Sequence, residues 1–218
     1  MQGFIFDMDG VIIDSEPLHT KIKRKVLAHY EVPFKEDVFT AYMGRTTKQL
    51  FGDLLQAAGR SQDLLPEMVA CKHKLYLTEL EANEEVLPIP GIPELLKKLR
   101  EKEIPLGLAS SAGREVIEAV LTKFSLQGMF AVVLSGTELA ASKPHPAIYL
   151  QAAKGLRADP WQCAVLEDAA AGVAAAKAAG MYCLAYRNPH SGEQDLSRAD
   201  KIVADIREID LRELLQEF

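Results

Sequence analysis

The sequence predicts an α/β protein: a doubly wound parallel sheet with a helical unit inserted after the first strand. Three observations predict it. Short runs that are apolar on consecutive positions recur along the chain, as strands covered on both faces of a parallel sheet require. Amphipathic helical repeats separate most of these runs. From about Glu16 to Glu85 the alternation stops and helical repeats alone remain.

The first run, Gly3-Phe4-Ile5-Phe6, leads straight into Asp7. The helical stretch follows, with Leu18, Ile22, Val26 and Tyr30 on one face. Leu50, Leu54, Leu55 and Ala58 share a second face before Gly59. Met68, Val69, Lys72, Leu75, Tyr76 and Leu80 share a third after Pro66. Roughly 70 residues of helix suffice for a small bundle. The stretch is bounded by Ser15-Glu16-Pro17 and by Pro88-Ile89-Pro90-Gly91, both turn-prone. The expected division is therefore a core of residues 1–15 and 86–218 and a helical cap of residues 16–85. Beyond it, Ile92, Leu95, Leu96 and Leu99 repeat at helical spacing, with Pro93 at the helix start. The second strand is expected at Pro105 to Ala109, running into Ser110. A helix carrying Val116, Ile117, Val120, Leu121 and Phe124 follows, then a strand at Ala131 to Leu134. Cys163 to Leu166 runs into Glu167-Asp168, and alanine-rich Ala169 to Ala179 stops at Gly180, a plausible helix C′ position. Tyr182 to Ala185 and Ile202 to Ala204 complete the set.

The chain has 218 residues, 48% of them apolar and 26% charged, enough to bury a proper core. Its net charge of -6 disfavours nucleic acid and membrane surfaces, which call for basic patches. No apolar run approaches the roughly 18 residues of a membrane span. Asp7 and Asp9 interrupt the N-terminal apolar stretch, so no signal peptide is expected. Cys71, Cys163 and Cys183 are too few and too far apart for a disulfide framework or a zinc site. A reduced, cytoplasmic chain is the expectation, with a monomer as the default.

Four polar clusters stand out, three of them directly after an expected strand, where ligands bind in open parallel sheets. In Asp7-Met8-Asp9-Gly10, two carboxylates can aim at one point while Gly10 permits the tight turn. One aspartate can attack phosphorus and the other can move protons. Ser110-Ser111 offers hydroxyls to a phosphate, or alternatively caps the following helix. Lys143, beside Pro144, offers a fixed charge, though alone it reads as a surface lysine in a turn. Glu167-Asp168 offers hard oxygen donors, or alternatively the acidic start of a helix. Four acids in one crevice repel one another by a few kcal/mol per pair at about 4 Å. A divalent cation together with Lys143 relieves that repulsion, and a purely structural reading leaves it unexplained.

Asp7-Met8-Asp9-Gly10, Ser110, Lys143-Pro144 and Glu167-Asp168 resemble, in order and spacing, the four motifs of the haloacid dehalogenase (HAD) superfamily. Phe6 to Glu16, Pro90-Gly91, Ser142 to Pro146 and Leu166 to Gly172 are similar to its β-phosphoglucomutase-like branch. The resemblance implies a Rossmann-like core with a helical cap and a Mg²⁺-dependent enzyme acting on a small phosphorylated metabolite. It implies that Asp7 is the nucleophile and Asp9 the general acid/base, with Ser110 and Lys143 on the phosphoryl group. Asp7, Asp9 through its carbonyl, and Asp168 would hold Mg²⁺, with Glu167 beside them. A cap closing about hinges near Asp14–Ser15 and Val86–Gly91 is also expected.

Phosphatase and phosphomutase share this chemistry. His19 and Lys72 match cap residues of β-phosphoglucomutase, but Thr47 stands where its cap arginine is expected, with Arg45 nearby as a substitute. Gly113 and Arg114 replace the mutase's lysine and asparagine after the second motif. These departures favour a phosphatase. A receiver domain, which shares the sheet and the phosphorylated aspartate, is far shorter and has no cap. His29, His73 and His190 read as surface residues and His145 as a loop residue.

Overall fold

The computed structural model describes residues 1–42 and 46–218. Each expected run is a strand: β1 Gly3–Phe6, β2 Leu106–Ser110, β3 Val132–Ser135, β4 Cys163–Glu167, β5 Tyr182–Tyr186 and β6 Lys201–Val203. They form one parallel sheet in the order β3-β2-β1-β4-β5-β6. Several strands end a residue later than hydropathy suggests. Ser110, Ser135 and Glu167 remain in the ladder although polar, because pairing rather than apolarity ends a strand.

The helices are α1 Glu16–His29, α2 Asp37–Ala41, α3 Thr47–Ala57, α4 Leu65–Ala82, α5 Ile92–Glu101, α6 Arg114–Lys123, α7 Ala147–Leu156, α8 Ala170–Ala178 and α9 Leu211–Leu214. The chain winds outward from β1 to β3 and returns at β4. Right-handed crossovers then put α5 and α6 on one face of the sheet and α7 and α8 on the other. On the second face Ile5, Ala109, Val165, Cys183 and Ala185 pack with Ile148, Tyr149, Ala152, Val173 and Ala176. The alternate residues Phe4, Phe6, Leu108, Ala164, Leu166 and Leu184 point to the opposite face and are equally buried. Burial on both faces explains why these strands are apolar at every position rather than at every second one.

The winding reverses between β1 and β4, which opens a crevice outside their carboxyl ends. α5 buries Ile92, Leu95, Leu96 and Leu99, and Pro93 occupies its second rather than its first position. α8 ends at Ala178 with Ala179 as its C-cap, and Gly180 at the C′ position adopts φ +75° where a side chain would be strained.

The chain divides into two compact units, Met1–Asp14 with Val86–Phe218, and Ser15–Glu85. Within the second, α4 packs against both α1 and α3. Leu18, Ile22 and Val26 of α1, Leu50, Phe51 and Leu55 of α3, and Met68, Tyr76 and Leu80 of α4 are buried. Within the first, the segments that flank the insertion are tied to each other. The Ile89 amide donates to the Ile12 carbonyl at 2.9 Å, and Ile13 and Pro88 form an antiparallel bridge. No helix among the described residues is long and apolar enough to cross a membrane.

Candidate active site

Strand register brings the first and fourth clusters together. Phe6 lies opposite Leu166, so Asp7, just past β1, stands beside Glu167, the last residue of β4. The Asp7 amide donates to the Leu166 carbonyl at 3.0 Å. Both carboxylates continue the alternation of Ile5 and Val165, so they point to the face that α7 covers. Carboxylate oxygens of Asp7, Glu167 and Asp168 fall within 4.8 Å of one another, and all three residues are buried.

Lys143 enters this cluster from the loop before α7. Its ammonium donates to Asp7 Oδ1 in a short contact, to Glu167 Oε1 at 2.7 Å and to the Ala109 carbonyl at 3.0 Å. The surface-turn alternative for Lys143 does not hold, because its side chain is only 8% exposed. Burial alone would discharge it, but Asp7 and Glu167 outweigh that and hold its pKa above the ordinary lysine value.

Glu167 accepts from four donors: Lys143, the Tyr149 hydroxyl at 2.5 Å, and the backbone amides of Asp168 and Ala169 at 3.1 and 3.3 Å. Glu167 lies ahead of α8, whose N-cap is Ala169 and whose first turn holds no acidic residue. Burial, reinforced by Glu167 and Asp7, pushes the Tyr149 pKa well up, so its hydroxyl stays a donor. Gly172 lies beneath this carboxylate; a Cβ there would meet Glu167 Oε1 at 1.7 Å. Gly10 is constrained in the same way: its φ is +79°, and a Cβ would lie 1.9 Å from Asp168 Oδ2.

One ammonium faces three buried carboxylates. Burial presses the Asp7 carboxyl well above its usual range, with Lys143 opposing and Glu167 and Asp168 adding to the rise. Burial and then Glu167 push Asp168 up to about 7, against Ser191 and Lys143. An all-oxygen donor set with surplus negative charge fits a hard divalent cation. Since four donors fill the lone-pair sites of Glu167, the open acceptor capacity lies with Asp7 and Asp168, which each meet one side-chain donor.

Asp9 is half-buried in the turn after Asp7 and is not one of the three converging carboxylates. Three amides, from Val11, Ile12 and Ile13, converge on the Met8 carbonyl and shape that turn. Ser110 is fully buried at the end of β2, and its Oγ accepts from the Ala112 amide at 3.0 Å. Ser111 is exposed. The helix-cap alternative does not hold for either serine, because the N-cap of α6 is Gly113.

The remaining candidates are dispersed. The Arg114 guanidinium is committed to Glu138 at 3.0 and 2.7 Å and to the Val133 carbonyl at 3.1 Å. Thr47 is the first residue of α3, behind a capping box formed by Thr46 and Gln49. Arg45 lies outside the described residues. In the helical unit, Lys72 Nζ lies 3.0 Å from His19 Nδ1, and the His19 ring stacks on Tyr76 at 4.3 Å. Burial, then Lys72 and Lys23, hold the His19 pKa well below its usual value, so the neutral ring accepts from Lys72.

Tyr149, Asn188 and Ser191 were not legible as site residues. Ser191 donates to Asp168 in a short contact, and Asn188 Nδ2 donates to the Gly10 carbonyl at 3.0 Å. The rule that marks strand carboxyl ends would have flagged Asn188, two residues past β5. Tyr149 carries no such signal, because it reads as one more buried position on an amphipathic helix. His190 is exposed as expected, yet its Nδ1 lies 2.5 Å from Asp14 Oδ2. That partner is 176 residues away and invisible to local spacing.

The family profile of haloacid dehalogenase-like hydrolases matches residues 4–186. Hexitol phosphatase B of Escherichia coli (strain K12) is 32% identical over 218 residues, covering 97% of this chain and 95% of that protein. Beta-phosphoglucomutase of Bacillus subtilis (strain 168) is 30% identical over 222 residues, covering 100% of this chain and 96% of that protein. Among solved structures, a putative beta-phosphoglucomutase from Thermotoga maritima has a TM-score of 0.82 and 30% identity, covering 99% of each chain. The profile match spans both halves of the crevice, from the strand that carries Asp7 to the strand beyond Glu167 and Asp168, and the chain belongs to the haloacid dehalogenase-like hydrolase family.

Proposed function

We propose that the chain is a Mg²⁺-dependent phosphatase that releases inorganic phosphate from a small phosphorylated metabolite, a sugar or polyol phosphate. The observation that carries this reading is the buried convergence of Lys143 with Asp7, Glu167 and Asp168 at the reversal point of the sheet. The hexitol phosphatase likeness supports the substrate class.

In this reading a carboxylate oxygen of Asp7 attacks phosphorus and the bond to the leaving oxygen breaks. Asp9 gives that oxygen a proton. Water then attacks the phosphorus of the aspartyl phosphate while Asp9 takes its proton, and phosphate leaves with the Asp7 carboxylate restored. Lys143, held charged by Asp7 and Glu167, stabilises the oxygens of the transferring group, with the Ser110 and Ser111 hydroxyls as further donors. Asp7, Asp168 and the Asp9 carbonyl would hold Mg²⁺, with Glu167 beside them. Bound there, the ion supplies charge neutralisation for the phosphoryl group. Residues 16–85 are the proposed cap, and within them Lys72 and His19 lie 3.0 Å apart.

The test is phosphate release from a panel of hexitol and sugar phosphates, with Mg²⁺ or with EDTA. Wild type should release phosphate only with metal, and Asp7→Asn should lower the rate by about 10⁴-fold or more. Release that survives in Asp7→Asn would sink the covalent reading. The Bacillus likeness favours a phosphomutase as second reading. Conversion of β-glucose 1-phosphate to glucose 6-phosphate without phosphate release would establish it instead.

A further inference from the structure

We propose that Asn188 is a positioning residue: its buried amide holds the turn that aims Asp9, through the Gly10 carbonyl. The inference rests on the proposed role of Asp9 as proton donor to the leaving oxygen.

Asn188 is 5% exposed, and both ends of its amide are used. Nδ2 donates to the Gly10 carbonyl at 3.0 Å, and Oδ1 accepts from the His190 amide at 2.8 Å. A backbone carbonyl can only accept and a backbone N–H can only donate, so the partners fix the orientation of the amide. The group reaches across the end of β4, since the sheet places β4 between β1 and β5.

The loop that Asn188 begins grips the fourth cluster as well. The Ser191 amide donates to the Asn188 carbonyl at 3.2 Å, and its hydroxyl donates to Asp168. Gln194 Nε2 donates to the Ser191 carbonyl at 2.9 Å, and its Oε1 accepts from the Ala170 amide at 3.0 Å. One short loop thus fastens Gly10, next to Asp9, the Asp168 carboxylate, and the Ala170 amide two residues beyond it. The Asp168 carboxylate packs against Gly10 where a side chain would stand, 1.9 Å from the position of a Cβ. Removing the Asn188 donor takes away this tie on the turn and leaves the Gly10 carbonyl unanswered. Asp9 then loses its aim, and general-acid catalysis is steeply sensitive to aim.

The experiment compares two substrates. An alkyl phosphate, such as a hexitol phosphate, has a poor leaving oxygen that needs a proton from Asp9. p-Nitrophenyl phosphate leaves without one. The kcat/KM of each is measured for wild type, Asn188→Ala and Asn188→Asp with saturating Mg²⁺, after circular dichroism has confirmed folding. Asn188→Asp keeps the size and the acceptor for the His190 amide, and replaces the donor to Gly10 by an acceptor that carries a charge when ionised. It carries the test if Asn188→Ala fails to fold.

The expected result is a loss of about 10²-fold on the alkyl phosphate and a much smaller loss on p-nitrophenyl phosphate. An equal loss on both substrates, or none, overturns the positioning role and leaves the phosphatase reading intact. A wild type that releases phosphate from neither substrate overturns both.

Discussion

Glu167 takes hydrogen bonds from a lysine, a tyrosine and two backbone amides, so its carboxylate is held on every side. Losing one donor leaves a buried charge under-satisfied, at a cost of about 1.5–3 kcal/mol for a bond to a charged group. Tyr149→Phe should therefore lower the unfolding free energy from urea titration by that much and lower phosphate release with it, since Lys143 shares the same oxygen. Gly172→Ala tests the other side of the carboxylate. Its Cβ would meet Oε1 at 1.7 Å, so Glu167 must move and take its contact with Lys143 along. Melting curves and turnover of the two variants should fall together. A Gly172→Ala variant with wild-type turnover would show that Glu167 is not held in place. At this scale the sequence shows which residues sit at strand ends, because polarity interrupting an apolar run is visible locally. It does not show what answers them. Tyr149 and Asn188 contribute through contacts made by folding: Tyr149 reads as an ordinary core tyrosine, and Asn188 has only its place just past β5 to mark it.

The secondary elements were legible in proportion to how strictly burial constrains them. The sheet strands, covered on both faces, carry an apolar residue at almost every position and are found within a residue or two. The short helix α2 lacks the length for a periodic signal, and Phe51 on α3, three and four residues before Leu54 and Leu55, is buried on the same face as they mark. Helix starts obey local chemistry more closely. Thr46 and Gln49 form a reciprocal capping box at the start of α3. Thr46→Ala should cost about 1 kcal/mol, read as faster hydrogen exchange in the first turn of that helix. Gly91, the N-cap of α5, has φ +92° and lies where a Cβ would be 2.9 Å from Arg207 Cγ. Gly91→Ala combines a strained backbone with that contact, and should cost about 1–3 kcal/mol in denaturant titrations.

For the whole molecule, the surplus of negative charge at the crevice sets a pH dependence. Asp168 titrates near 7 in the folded, metal-free chain, against an ordinary aspartate value of 3.8. The folded state then holds the proton more tightly than the unfolded one. Stability is complete below the unfolded value and declines as pH rises through about 7. EDTA-treated protein should thus have a lower urea midpoint at pH 8 than at pH 5.5, and Asp168→Asn should flatten the difference. Restoring Mg²⁺ at a hundredfold its Kd should add about 2.7 kcal/mol. A midpoint that climbs from pH 5.5 to 8 in EDTA would contradict this account of the cluster.

The pairing of Ile12 with Ile89, and of Ile13 with Pro88, leaves the chain departing the sheet and returning to it at one spot. Everything from Ser15 to Glu85 hangs from that closed neck, which makes the insertion a cassette. A few glycines and serines bridging Asp14 to Val86 should leave a folded sheet with its acidic crevice. A foreign helical bundle joined at the same neck should likewise leave that sheet folded.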